Sequence, residues 1–125
     1  MSRFTVGLIQ MRCAPEPETN LKRALGFLEQ AASQQVQVAC LPELFMSEYF
    51  CQKEEQALFD LAEPIPGPTT EALSAMAKKT GMVIVGSIFE KRAPGLHHNT
   101  AVVIEKDGSL KGLYRKMHIP HDPLF

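Results

Sequence analysis

Two short stretches hold the residues best suited to chemistry. In "CLPELF", Cys40 to Phe45, an apolar run meets a proline and then a carboxylate, Glu43, which is followed by Leu44 and Phe45. Proline fixes φ and donates no hydrogen bond, so Pro42 ends a strand ladder and stiffens the backbone that presents Glu43. In "YRKMHIP", Tyr114 to Pro120, Arg115 and Lys116 precede a histidine and another proline. Each charge alone has a plain structural reading, as a capping or ion-paired Glu and as a solvated strand-end cation. Taken together, a carboxylate and an ammonium in a partly apolar cleft are able to move a proton and hold a developing oxyanion. Those are the two needs of amide hydrolysis through a covalent nucleophile.

The nucleophile is harder to find. Cys13, Cys40 and Cys51 make an odd count with no C-x-x-C pair, which speaks against a disulfide framework and a zinc knuckle and suits a reducing cytosol. Cys40 stands close to Glu43, but strand alternation and the intervening proline oppose a shared, attack-ready geometry. Cys13 ends the first apolar run and Cys51 falls in the loop after Glu43. Free cysteines are most often small buried hydrophobes, and a reactive thiol needs a lowered pKa. His118, His121 and Asp122 form an H-x-x-H-D cluster that could be drawn as a metal site, yet no helix fixes its geometry. His97 and His98 precede a strand and read as loop residues.

The elements that must carry these residues follow from periodicity. "FTVGLIQM", 4–11, is β-branched and apolar and reads as a buried strand stopped by "APEPE". Leu21, Leu25, Leu28 and Ala32 recur at helical spacing, with Glu16 and Glu18 at the positive N-terminal end. "VQVACL" is the second strand, and a loop with a short acidic helix around "EEQALFDLA" follows Glu43. After "EPIPGPTT", Pro68 suits the first position of a helix that presents Leu73, Met76, Ala77 and Thr80 on one face and ends at Gly81. "MVIVGSIF", 82–89, is the third strand. Asn99 to Tyr114 contains two strand-like runs around Asp107-Gly108, a dipeptide that readily takes the positive φ angles of a tight hairpin. This β-α-β-α-β then β-β order predicts a mixed sheet, right-handed at its crossovers, with helices on at least one face. In open α/β sheets ligands bind outside the carboxyl ends of the parallel strands, and Glu43 is at such an end.

Composition narrows the function classes. The 125 residues have the length of one domain, and 13 Lys and Arg against 14 Asp and Glu leave a net charge of -1. No field large enough to recruit nucleic acid or an anionic membrane is present, so the expected partner is a small-molecule substrate. "MSRFTVGLIQM" does not read as a signal peptide, and "MVIVGSIF" is too short to span a bilayer. A cytoplasmic location is the expectation, and no G-x-G-x-x-G follows any predicted strand.

"LPELF" at 41–45 with "YRKMHIP" at 114–120 resembles the nitrilase superfamily of carbon-nitrogen hydrolases, whose triad is Glu, Lys and Cys. The resemblance runs from "VGLIQM" to the last residue. It implies that residues 1–125 are the N-terminal half of a nitrilase-type αββα sandwich with a mixed sheet, in a single hydrolase domain. Glu43 would then be the general base and Lys116 the oxyanion-stabilising residue, with the nucleophilic Cys further along than residue 125. "EYFCQ", "NTAVVIEKDG" and "YRKMHIPHDP" are similar to members acting on N-carbamoyl amines, which makes N-carbamoylputrescine the expected substrate. Glu48, Tyr49 and His118 are the candidate substrate contacts, His118 also by orienting the loop that carries Lys116. The resemblance implies no cofactor, no metal, and homo-oligomers of the complete protein; the 125 residues alone are expected to be inactive. The rival reading is a non-catalytic α/β module that binds a ligand or partner, with Glu43 and Lys116 as a structural ion pair.

Overall fold

The computed structural model describes residues 3–49 and 56–119. Five strands form one mixed sheet in the order β1 (Val6–Leu8), β2 (Val38–Cys40), β3 (Val83–Ala93), β4 (Leu96–Ile104), β5 (Leu110–Arg115). β1, β2 and β3 are parallel; β3, β4 and β5 are antiparallel. The two crossovers are α1 (Pro17–Ser33) and α2 (Pro68–Thr80).

Both helices pack on one face. Ala24, Leu28 and Ala31 of α1 and Leu73, Met76 and Ala77 of α2 meet Ala39, Ile84, Ile88, Val102 and Ile104 from the sheet. α2 approaches β3 closely at Gly86, where an added Cβ would lie 2.9 Å from the Leu73 Cδ1 and displace that side chain. α2 ends as its sequence predicts, with Lys78 and Lys79 in the last turn and Gly81 in the left-handed conformation at φ 72°. Its start is fixed by Thr70, whose hydroxyl accepts from the Gly67 N–H at 2.7 Å and donates to the Gly67 carbonyl at 2.9 Å.

Neither α1 nor α2 packs on the opposite face, which a 3-10 helix, Gln56–Leu61, touches through Phe59, its ring 5.9 Å from that of Phe89 and 4.8 Å from that of His97. Val6, Leu8, Val38, Cys40, Val83, Val85, Ala101, Val103 and Tyr114 share that face by strand alternation and register. Leu8 is 80% exposed there.

Four expectations need correction. The first strand is Val6–Leu8 rather than 4–11, because among the described residues it pairs with the three-residue β2 alone. The third runs on to Ala93 rather than stopping at residue 89, and β4 begins at Leu96, so His97 and His98 are strand residues. They pair with Lys91 and Glu90 across a tight turn in which Gly95 has φ 74°. Gln56–Leu61 is a 3-10 helix; the preceding Glu54 and Glu55 lie outside the described residues. The Asp107-Gly108 turn forms as expected: Gly108 has φ 89°, and the Asp107 carboxylate accepts from the Ser109 N–H at 2.9 Å and its hydroxyl at 2.6 Å.

Candidate active site

Glu43 is presented by a turn that buries its neighbours. The Leu41 N–H still pairs with the Val85 carbonyl at 2.9 Å; Pro42 then breaks the ladder. Leu44 and Phe45 plunge into the interior, 3% and 0% exposed, leaving the residue between Pro42 and Leu44 to face outward. Leu44 adopts φ 51°, a conformation that costs a non-glycine residue about 1–2 kcal/mol. Two anchors hold it. The Leu44 N–H donates to the Ser87 hydroxyl at 2.9 Å. The fully buried Asn20 of α1 ties the loop back, its Nδ2 donating to the Met46 carbonyl at 2.9 Å.

Lys116 comes from the far side of the sheet. Its N–H donates to the Asn99 carbonyl at 2.9 Å, continuing the β4–β5 pairing one residue past Arg115. The Lys116 Nζ donates to the Glu43 Oε1 at 2.9 Å, and the Asn99 Nδ2 donates to the same oxygen at 2.6 Å. The Ser87 hydroxyl donates to the Asn99 Oδ1 at 3.4 Å, so Glu43, Asn99, Ser87 and Leu44 close a ring of contacts. Side-chain exposure is 45% for Glu43 and 33% for Lys116. The site therefore opens to solvent, at the carboxyl end of β2, beside the middle of β3 and on the face opposite α1 and α2.

The Lys116 ammonium, donating to Glu43, is the main reason that its carboxyl is held below the usual carboxylate range; Asn99 helps and partial burial opposes. Glu43 is therefore an anion at neutral pH, able to accept a proton.

Of the thiols, Cys13 and Cys40 are among the described residues. The Cys13 Sγ donates to the Phe45 carbonyl at 3.4 Å, and burial pushes its pKa up, both of which keep it a thiol. The Cys40 Sγ is directed at the Leu41 carbonyl at 3.6 Å. Cys51, His121 and Asp122 lie outside the described residues. Among those described, no group of three or more His, Cys, Asp or Glu side chains is arranged to hold a metal ion.

Among the described residues, no hydrogen bond joins the Glu48 or His118 side chain to this cluster. Glu48 and Tyr49 are exposed at the end of the loop after Glu43, where the Ser47 hydroxyl donates to the Glu48 carbonyl at 2.9 Å. His118 is exposed, with no hydrogen-bond partner among the described residues, so no hydrogen bond from it orients the Lys116 segment. Asn99 and Ser87 were not singled out from the sequence, although Asn99 stands in the "NTAVVIEKDG" motif. Asn99 meets Glu43, and Ser87 meets Asn99 and Leu44, through the register of β3 on β4, in which Phe89 faces Asn99 and Ser87 faces Ala101.

The chain has relatives among known proteins. The chain is 38% identical over 120 residues to an N-carbamoylputrescine amidase of Solanum lycopersicum, covering 95% of this chain and 40% of that protein. It is 35% identical over 119 residues to the omega-amidase NIT2 of Bos taurus, covering 95% of this chain and 42% of the relative. A crystal structure of a carbon-nitrogen hydrolase from Helicobacter pylori G27 superposes with a TM-score of 0.88 at 40% identity, over 94% of this chain and 40% of that one. The chain thus spans about 40% of the length of these relatives. The profile of the carbon-nitrogen hydrolase family matches residues 5–125. By its sequence and its fold, this chain belongs to the carbon-nitrogen hydrolases of the nitrilase superfamily.

Proposed function

We propose that residues 1–125 supply the base and the oxyanion-holding ammonium of an amidohydrolase site, which a thiol from the remainder of the full-length protein completes. The observation that carries this is the 2.9 Å contact between the Lys116 Nζ and the Glu43 Oε1 across the end of an open sheet. As a structural device such a pair is poor, because ion pairs this exposed contribute about 0–1 kcal/mol. As a chemical device it suits a thiol arriving over the uncovered face.

In the proposed reaction Glu43 takes the thiol proton and the thiolate attacks the carbamoyl carbon. Lys116 and a backbone N–H stabilise the tetrahedral oxyanion. Collapse returns the proton from Glu43 to the leaving nitrogen and releases ammonia. Water, deprotonated by Glu43, then hydrolyses the remaining S-linked thiocarbamate, which frees the thiol and a carbamic acid that loses carbon dioxide to give the amine. The substrate reading is N-carbamoylputrescine, with putrescine, carbon dioxide and ammonia as products. It rests on the likeness to the plant amidases and on Glu48, an exposed carboxylate five residues past Glu43 that suits a cationic tail. The likeness to an omega-amidase makes a terminal amide of a dicarboxylic acid the competitor.

The test is ammonia release by the full-length protein with each of the two substrates, and by the 125-residue chain in parallel. Higher kcat/KM for N-carbamoylputrescine, with no turnover by the short chain, is expected. Preference for the terminal amide would overturn the substrate reading. Turnover by the short chain, with an acyl adduct on Cys13, Cys40 or Cys51, would overturn the origin of the thiol.

A further inference from the structure

β5 ends at Arg115, and the next residue is the proposed oxyanion holder. Successive side chains of an extended chain take opposite faces, so Arg115 turns toward the helices while Lys116 turns toward Glu43. Arg115 is gripped there by Glu90, a carboxylate only 2% exposed. The Arg115 Nε donates to the Glu90 Oε1 at 2.8 Å and its Nη2 donates to the Oε2 at 2.9 Å. The hydroxyl of Thr100, fully buried, donates to the same Oε1 at 2.8 Å.

Glu90 is itself immobilised. The segment before α2 lies alongside β3, with the Glu63 N–H donating to the Phe89 carbonyl at 3.0 Å and the Lys91 N–H donating to the Glu63 carbonyl at 2.7 Å. The Glu63 carboxylate in turn accepts from the Thr69 N–H and hydroxyl, each at 2.8 Å, at the first turn of α2.

A buried ion pair is a weak source of stability, because desolvation offsets most of the attraction and apolar replacements are often as stable. What a guanidinium fork on a carboxylate does supply is fixed position and orientation. That matters one residue further on, where the flexible four-carbon stem of Lys116 does not fix its own ammonium and the backbone sets the point from which it reaches.

We propose that Glu90, Arg115 and Thr100 form a positioning clamp on the helix face of the sheet, which holds the end of β5 so that Lys116 on the other face reaches Glu43. The clamp rests on the reading of Glu43 and Lys116 as the working pair. Its three members are positioning residues, since none reaches the open face where substrate would bind.

The test is carbon-13 NMR titration of the Glu43 carboxyl in the full-length protein, its signal assigned by its loss in Glu43→Gln. Lys116→Met defines the full rise in titration midpoint on losing the ammonium. Glu90→Gln and Arg115→Lys each weaken the fork, and both are expected to raise the midpoint by at least half of that amount. Leu28→Ala destabilises the core away from the clamp and is expected to leave it at the wild-type value. Should Glu90→Gln fail to fold, Arg115→Lys, which keeps the cation, decides alone. A smaller rise, or an equal one in Leu28→Ala, overturns the clamp. Because this readout needs no turnover, absence of ammonia release beside a positive titration would fail the catalytic reading and leave the clamp standing.

Discussion

At the scale of single residues, Glu43 and Lys116 are legible in the sequence because each sits in a contiguous motif, a proline-stiffened strand end and a basic pair before a proline. Asn99 and Ser87 are not. Their part depends on which residues β3 and β4 place opposite one another, and register is a tertiary property. Asn99 should nonetheless affect the chemistry through its 2.6 Å bond to the Glu43 Oε1. The sign follows from the depressed Glu43 pKa. The anion's favourable contacts are fully present above the ordinary Glu value of about 4.3 and are lost as pH falls through the lower folded-state value. The acid limb of kcat/KM assigned to Glu43 in the full-length enzyme should therefore lie below that ordinary value. Asn99→Ala should move the limb to higher pH and lower the plateau at least about tenfold, as loosened geometry does. A pH–rate profile of the variant checks this; an unmoved limb would remove Asn99 from the site.

At the scale of elements, α2 and the β4–β5 hairpin are the parts most readable in advance. Both have strong local punctuation: Pro68 and Gly81 for the helix, Asp107-Gly108 for the turn. The β3–β4 hairpin is not readable, since "KRAPGLHH" carries polar, loop-like composition although its backbone pairs as far as Ala93 and Leu96. β1 and β2 are shorter than their apolar runs, because Pro42 ends the shared ladder just past Cys40. Gly108 offers a test of the turn on which the placement of β5, and with it Lys116, depends. Its φ of 89° disfavours any side chain, and a Cβ would lie 2.9 Å from the Ser74 carbonyl oxygen of α2. Gly108→Ala should destabilise by about 1–3 kcal/mol in urea unfolding. An unchanged midpoint would mean that the β4–β5 turn is not packed on α2 as described.

At the scale of the whole molecule, one sheet face is covered by two helices and the other presents an apolar field to solvent. Val6 at 50%, Leu8 at 80% and Tyr114 at 59% exposure mark that second face. Alternating sequence patterns predict that a strand has two faces but not what covers them; the expectation of half an αββα sandwich, with one sheet face uncovered, came from the family resemblance. The 125-residue chain on its own is expected to self-associate through this surface. Sedimentation velocity should find species larger than a monomer, reduced by Leu8→Lys; a monomer at all concentrations would contradict it. The same face carries the opening of the Glu43–Lys116 site, so the proposed chemistry is tested in the full-length protein. Glu43→Gln keeps the shape and a hydrogen-bond acceptor for Lys116 and Asn99 but cannot take a proton. Ammonia release from N-carbamoylputrescine by this full-length variant, measured beside its thermal unfolding, is the most direct test. A loss of at least about 10²-fold with an unchanged unfolding midpoint is the expected result, and near-normal ammonia release would contradict the assignment of Glu43 as the base.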